Sequence, residues 1–120
     1  MYDHIGLKTN NLDASVRFYA AALAPLGCEL CGRDESGAGF GPPGAPALWL
    51  YPASGAEGSR VHIAFTAPDR AAADLFHKEG LRTGGRDNGV PGLRADYSPN
   101  YYAAFLFDPD GNNVEAVCLR

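Results

Sequence analysis

The sequence predicts an α+β fold with two tandem βαβββ modules forming a curled mixed sheet around a cleft. The first observation is an internal repeat, because aligning the chain with itself at an offset of 58 pairs identical residues at six positions within residues 4–27. These pairs are His4 with His62, Ile5 with Ile63, Ala14 with Ala72, Phe18 with Phe76, Leu23 with Leu81, and Gly27 with Gly85. The second observation is that each copy opens with a strand pattern followed by a helix pattern. We therefore expect a single domain over 1–120, with module one at about 1–57 and module two at about 58–120.

The composition limits the class of protein. The chain has 120 residues, of which 46% are hydrophobic and 20% are charged, and its net charge is -4. This length supports one hydrophobic core without disulfides, and the hydrophobic content is too high for a disordered chain. The charge argues against a nucleic-acid partner, which needs clustered Lys and Arg. No apolar run approaches the roughly 20 residues that cross a bilayer, and the polar start is unlike a secretory signal. We therefore expect no membrane partner and a cytoplasmic location.

Module one is predicted to begin with a strand and a helix. The strand covers Tyr2–Lys8, and the polar residues Thr9–Asn11 then precede an apolar series at helical spacing. This series is Leu12, Val16, Tyr19 and Leu23. Gly27 is placed to end the helix, because glycine accepts the positive φ that commonly follows a last helical turn.

Two further strands and a turn are predicted after this helix. The strands cover Glu29–Arg33 and Ala47–Tyr51, and the segment 37–46, rich in Gly and Pro, is expected to form a loose turn. Cys28 and Cys31 have CxxC spacing, but neither a second CxxC nor a CxxH accompanies them. We expect reduced cysteines in a strand, as in a reducing compartment.

Module two is predicted to repeat this order. A strand covers Val61–Thr66, and Pro68–Asp69 opens a helix whose apolar face contains Ala72, Leu75 and Phe76. Gly80 is placed to end this helix, and His77 is expected at the surface. Two strands, Tyr101–Phe107 and Val114–Leu119, should form a hairpin, because the Asp-Pro-Asp-Gly sequence between them has the residues of a tight turn.

The segment 82–100 is predicted to be the longest loop. It has few large apolar residues, and long loops inside compact domains are often functional. It contains three arginines that are candidates for contact with an anionic substrate, and solvated surface arginines are the alternative. They are Arg82, Arg86 and Arg94.

Four segments carry a resemblance to a known family. They are Asp3–Leu7, Leu12–Tyr19, Val61–Phe65 and, most specifically, Phe105–Glu115. In these segments the chain resembles the vicinal oxygen chelate superfamily, which includes glyoxalase I, fosfomycin-resistance thiol transferases, extradiol dioxygenases and bleomycin-resistance proteins. The resemblance extends over both modules and implies the two-module fold. It does not select one reaction, because this scaffold hosts several chemistries.

By position, the resemblance implies that His4, His62 and Glu115 are metal ligands. Metal-dependent members take ligands from the first strand of each module and from the last strand of one or both. Two imidazoles and one carboxylate suit divalent Mn, Fe, Ni, Co or Zn and leave coordination positions open. Glyoxalase I would need a further carboxylate near the end of module one, and Ala47–Tyr51 contains none. The ligand pattern is therefore closer to that of the thiol transferases and dioxygenases.

Three residues are candidates for the substrate pocket. If Phe105 points into the cleft, strand alternation places Tyr101 on the same face, as a hydrogen-bond donor or general acid near the metal. A tyrosine packed in the sheet is the alternative for Tyr101. Trp49 lies within one residue of the place of the missing carboxylate and is interpreted either as a pocket wall or as a core residue.

These residues predict a divalent-metal-dependent enzyme acting on a small oxygenated molecule, as a lyase or isomerase, a thiol transferase, or a dioxygenase-like enzyme. The alternative is a metal-free protein that binds and sequesters a small molecule, as bleomycin-resistance proteins do. By resemblance, a chain with two modules forms a homodimer. In that arrangement His4 of one chain would complete a site with His62 and Glu115 of the other.

Overall fold

The predicted fold class is confirmed by the structure, a computed structural model that describes residues 1–53 and 59–120. Module one contains β1 (Ile5–Thr9), α1 (Leu12–Leu23), a 3-10 turn (Ala24–Leu26), β2 (Glu29–Asp34), β3 (Gly37–Gly41) and β4 (Leu48–Pro52). Module two contains β5 (His62–Thr66), α2 (Arg70–Arg82), β6 (Arg86–Leu93), β7 (Tyr102–Phe107) and β8 (Asn113–Cys118). The predicted boundary between the modules, at residues 57 and 58, includes residues outside the described part of the chain.

The two modules have the same sheet topology. The strand order is β1-β4-β3-β2 in the first sheet and β5-β8-β7-β6 in the second. In each sheet the first and last strands of the module pair in parallel, and the other pairs are antiparallel. The internal repeat in the sequence thus corresponds to a repeat in topology.

Side-chain caps begin both helices at the predicted polar residues. The Asn11 side chain accepts a hydrogen bond from the Ala14 N–H at 3.1 Å, and Asp69 accepts one from the Ala72 N–H at 2.7 Å. These caps satisfy N–H groups that have no partner inside the helix. Gly27 follows the first helical segment with a φ of 85°, as expected for a residue that ends a helix.

Gly80, in contrast, does not end α2. It lies inside the helix, which continues to Arg82, and it is buried. A Cβ at this position would lie 2.3 Å from Leu106 Cδ1 and 3.1 Å from Phe18 Cε1. The glycine is therefore used for close packing of α2 against β7 and α1, and the prediction that it terminates the helix is wrong.

Two predicted loops contain strands instead. Segment 37–46 contains β3, which is buried throughout and pairs with both β2 and β4. Segment 82–100 contains β6, which pairs with β7 through two register shifts around Gly89. Both strands are rich in glycine, which has a weak intrinsic preference for strands. Hydrogen bonding to the adjacent strands overrides that preference.

The core lies where the helices meet the sheets. α1 and α2 pack against each other, α1 packs on β3 and β4, and α2 packs on β6, β7 and β8. One buried cluster joins both modules and includes Phe18, Tyr19, Phe40, Phe76 and Leu106. Within the described residues, neither helix is long and apolar enough to span a membrane.

His77 is buried rather than exposed, which corrects the prediction. Its side chain is only 9% exposed, and its Nε2 lies 2.8 Å from Asp87 Oδ1. The physical reason is β6, the strand absent from the prediction, which packs on α2. The hydrogen bond from His77 lowers the pKa of Asp87, with a further contribution from the Gly89 N–H.

Candidate functional site

Two of the three predicted metal ligands meet on the sheet of module two. His62 opens β5, and Glu115 lies in the middle of β8, where it pairs with Ala64 of β5. Side chains two residues apart on a strand share a face, so His62 and Glu115 are diagonal neighbours. His62 Nε2 lies 2.8 Å from Glu115 Oε1. The His62 side chain is 53% exposed, whereas that of Glu115 is 1% exposed.

Tyr101 completes the surroundings of the Glu115 carboxylate. Its hydroxyl donates a hydrogen bond to Glu115 Oε2 at 2.5 Å. This hydrogen bond, followed by burial and the charge of Glu115, raises the pKa of Tyr101 to about 12. The phenol therefore stays protonated at neutral pH and holds its proton more tightly than an ordinary tyrosine does.

Phe105 lies beside this group. It pairs with Glu115 across β7 and β8, and its ring centroid is 6.3 Å from that of His62. The four side chains of His62, Tyr101, Phe105 and Glu115 thus form one group on the sheet, which we call the Glu115 cluster.

His4 lies apart from the Glu115 cluster. It precedes β1, its side chain is 55% exposed, and its Nδ1 lies 2.6 Å from Asp3 Oδ1. Among residues 1–53 and 59–120, no group of three or more His, Cys, Asp or Glu side chains is arranged to hold a metal ion. A single chain therefore brings together His62 and Glu115 but not the third predicted ligand.

Trp49 lines a cavity on the other sheet, away from Tyr101 and Phe105. Its ring lies over Gly39, where a Cβ would come within 2.8 Å of it. The cavity has a volume of about 330 Å³, and its lining includes Trp49, Tyr51, Arg33 and Asp34. The three predicted pocket residues are therefore divided between the two sheets.

Arg94 lies beside the Glu115 cluster, although the sequence indicated it only as one of three candidate arginines. Its guanidinium carbon lies 5.3 Å from the centroid of the Phe105 ring. The Nη1 group donates to Gly92 O at 2.9 Å, and the Nη2 group donates to Val90 O at 2.8 Å. The sequence carried no signal to select it, because its position depends on the register shifts of β6.

The cysteines show no sign of metal or redox chemistry. Cys28, Cys31 and Cys118 are all free thiols. Burial and the neighbouring Cys31 raise the pKa of Cys28, which disfavours the reactive thiolate.

Comparison with known families identifies the superfamily to which this chain belongs. The family model for the Glyoxalase/Bleomycin resistance protein/Dioxygenase superfamily matches residues 2–116. The chain belongs to this superfamily. Membership agrees with the two βαβββ modules and with the resemblance seen in the sequence. No curated protein matches the chain.

Solved structures of the superfamily are similar over nearly the whole chain. A glyoxalase/bleomycin resistance protein from Albidiferax ferrireducens T118 is 29% identical, with a TM-score of 0.85 and 98% of each chain covered. A glyoxalase I mutant from Zea mays is 25% identical, with a TM-score of 0.72, and the match covers 95% of this chain and 44% of that one. A family enzyme from Burkholderia phytofirmans PsJN, at 15% identity and a TM-score of 0.75, covers 98% of each chain and supports the fold alone.

Proposed function

We propose that this protein is a divalent-metal-dependent enzyme of the superfamily that acts on a small oxygenated molecule. The proposed ligands are His62 and Glu115 of one chain and His4 of a second chain. The observation that carries the proposal is the 2.8 Å approach of His62 Nε2 to Glu115 Oε1. An imidazole nitrogen and a carboxylate oxygen are donors that Mn, Fe, Ni, Co and Zn accept in proteins.

The donor set fits a divalent ion on chemical grounds. A hydrogen bond between His62 and Glu115 needs a proton between the two atoms. A ligand imidazole must be neutral and a ligand carboxylate ionised, so an ion binding there would displace that proton. When bound, the ion supplies Lewis-acid character and open positions for oxygen atoms of the substrate.

The other members of the Glu115 cluster orient the ligands. Tyr101 holds Glu115 Oε2 and leaves Oε1 directed at His62. Such outer partners fix the orientation of a ligand and raise metal affinity. Because its pKa is raised to about 12, Tyr101 stays protonated and remains a hydrogen-bond donor to Glu115. Phe105 provides an apolar wall next to His62.

A homodimer would supply the third ligand. Trp49 belongs to the module-one sheet and His4 directly precedes its first strand, whereas the Glu115 cluster lies on the module-two sheet. A two-fold pair of chains that apposes the first sheet of one with the second sheet of the other would create two equal sites. We also place the protein in the cytoplasm, consistent with its three free cysteines.

The metal content of the purified protein tests this proposal directly. Untagged protein dialysed against each of the five ions should retain close to one ion per chain by elemental analysis. His4→Ala, His62→Ala and Glu115→Ala should each lose it. His77→Asn is the matched control, because His77 is the third histidine of the chain and is bonded to Asp87. Absence of metal uptake by the wild type, or full retention in Glu115→Ala, would overturn the proposal.

A mixing experiment tests whether the site is shared between chains. When His4→Ala and Glu115→Ala chains exchange, each mixed dimer should contain one intact site, with about a quarter of the wild-type metal for random exchange. If the site lay within one chain, every chain of the mixture would lack a ligand and no metal would return.

The alternative is a metal-free binding protein, and the Trp49 cavity favours it. Its walls include two aromatic side chains, Trp49 and Tyr51, and both rings lie close to glycines. Trp49 is the single tryptophan, so its emission reports binding of planar aromatic compounds from a screening set. A ligand whose affinity is unchanged by a chelator, by His4→Ala and by Glu115→Ala would favour this function over the enzyme.

A further inference from the structure

We infer that Arg94 binds an anionic group, so that the substrate is a small oxygenated molecule carrying a carboxylate or phosphate. The inference rests on the proposed function for the position of the reacting end, at His62 and Glu115. It adds the chemical class of the substrate and the residue that recognises it.

Arg94 contacts the Glu115 cluster through Phe105. The Arg94 guanidinium carbon is 5.3 Å from the centroid of Phe105, and the ring of His62 is 6.3 Å from the same ring. Phe105 also pairs directly with Glu115. A cation and the proposed ligands therefore border the same ring, and one small molecule can contact both.

The guanidinium of Arg94 is held in place before any ligand arrives. Two backbone carbonyls, of Val90 and Gly92, accept hydrogen bonds from its two Nη groups. Stacking on Phe105 adds a cation–π contact. An arginine on a surface loses side-chain entropy when it binds a ligand, and this arginine has already been ordered.

Glycines of β6 provide the space for this arrangement. A Cβ on Gly89 would lie 3.2 Å from Arg94 Nη2 and 3.0 Å from Phe105 Cδ1. Gly89 also has a φ of 153°, which side-chain-bearing residues rarely adopt. A Cβ on Gly92 would lie 3.3 Å from Arg94 Nη1. The absence of side chains at Gly89 and Gly92 thus leaves the space that the guanidinium of Arg94 occupies.

The charge of Arg94 is not balanced by a carboxylate in the described part of the chain. Its two hydrogen bonds go to neutral carbonyl groups and leave about three of the five N–H donors of a guanidinium free. Arg33 and Arg82, in contrast, are paired with the carboxylates of Asp13 and Glu79. Glu115 already accepts hydrogen bonds within its own cluster. A half-buried, ordered cation with free donors is suited to a carboxylate or phosphate.

A titration of the wild type tests the inference without a variant. Protein labelled with ¹⁵N and freed of metal by a chelator is titrated with inorganic phosphate and with malonate, against chloride at equal ionic strength. The arginine Nε–H resonances are followed by NMR. The Arg94 resonance should shift and saturate, whereas that of Arg70 should not. Arg70 is the matched control, because it also stacks on an aromatic ring, Tyr102, at 5.2 Å, and bonds a backbone carbonyl. An Arg94 resonance that does not respond to either anion would overturn the inference.

Variants give the magnitude and separate the two proposals. Arg94→Met should raise the Kd for the anion that binds best by at least about tenfold, Arg94→Lys should raise it less, and Arg70→Met should leave it unchanged. Arg94→Met should keep the metal content of the wild type. If metal binds and Arg94 does not respond to anions, only the present inference fails. If Arg94 responds and no metal binds, the proposed enzyme fails and the anion site stands. A tighter response to phosphate or to malonate decides between the two anions.

Discussion

Glu115 shows how single residues support the site. A carboxylate that is 1% exposed is costly to bury unless its oxygens accept hydrogen bonds. Here Oε1 faces His62 and Oε2 accepts from Tyr101. The buried charge is thus satisfied within the cluster, and the same contacts aim the carboxylate at His62. Removal of either neighbour affects both the stability and the geometry of the proposed site.

Tyr101→Phe should reveal this dual role. The variant loses a hydrogen bond to a charged group and should be less stable by about 1–2 kcal/mol in urea unfolding at neutral pH. In the wild type, the folded-state pKa of Tyr101 is about 12, above its ordinary value of 10.0. The unfolded chain therefore loses this proton first, and stability should fall as the pH rises from about 10 toward 12.

Tyr101→Phe should lack this contribution to the loss of stability at alkaline pH. Tyr97→Phe is the control, because its ring packs edge to face on Tyr101 at 5.0 Å and phenylalanine retains that contact. Equal stability of Tyr101→Phe and wild type at both neutral and alkaline pH would contradict the role given to this hydrogen bond.

At the scale of elements, close packing rather than helix preference explains the glycine inside α2. Gly80 lies in the interior of α2, where alanine would be favoured by about 1 kcal/mol in an isolated helix. Its neighbours Leu106 and Phe18 leave no room for a methyl group. The same reasoning applies to Gly39 beneath Trp49 and to Gly89 beneath Arg94.

Gly80→Ala should therefore be destabilising by about 1–3 kcal/mol, since overpacking outweighs the gain in helix preference. Chemical unfolding of the wild type and of the variant measures the difference. Lys78→Ala, an exposed change on the same helix, should remain within about 0.5 kcal/mol of the wild type. A Gly80→Ala variant more stable than the wild type would show that Leu106 and Phe18 can move away.

At the scale of the whole molecule, the turn between β7 and β8 holds the two modules together through hydrogen bonds. Asp108 is buried and accepts hydrogen bonds from the Tyr19 hydroxyl at 2.5 Å and from the Asn112 N–H and side-chain amide at 2.8 Å each. Tyr19 belongs to α1 of module one, and the pKa of its phenol is raised by burial and then by the charge of Asp108. The Asn112 side chain also accepts from the Val61 N–H beside His62. The turn between β7 and β8 thus holds both module one and the start of β5.

Asp108→Asn should weaken this connection, because an amide places N–H donors where Tyr19 and Asn112 already donate. We expect a loss of about 2–4 kcal/mol in the free energy of unfolding. Since one buried cluster joins the modules, Trp49 emission and far-ultraviolet circular dichroism should still report a single transition. Asp96→Asn, at an exposed position, is the control. Wild-type stability of Asp108→Asn, or separate transitions for the two signals, would contradict this account.

The sequence alone determined the repeat, both helix starts and the hairpin around Asp108. Each depends on local chemistry: matched residues at a fixed offset, side-chain caps at Asn11 and Asp69, and turn residues at set positions. Strand alternation also predicted that Tyr101 and Phe105 share a face, and the structure places both beside Glu115.

Only the tertiary structure decided β3, β6, the burial of His77, the packing role of Gly80 and the position of Arg94. Each depends on a neighbour outside its own element: β4 for β3, β7 for β6, Asp87 for His77, Leu106 for Gly80, and Phe105 for Arg94. The separation of His4 from His62 and Glu115 also became visible only there. Glycine-rich strands and paired polar side chains gain their stability from pairing and packing across the fold, and those energies leave no periodic pattern in the chain.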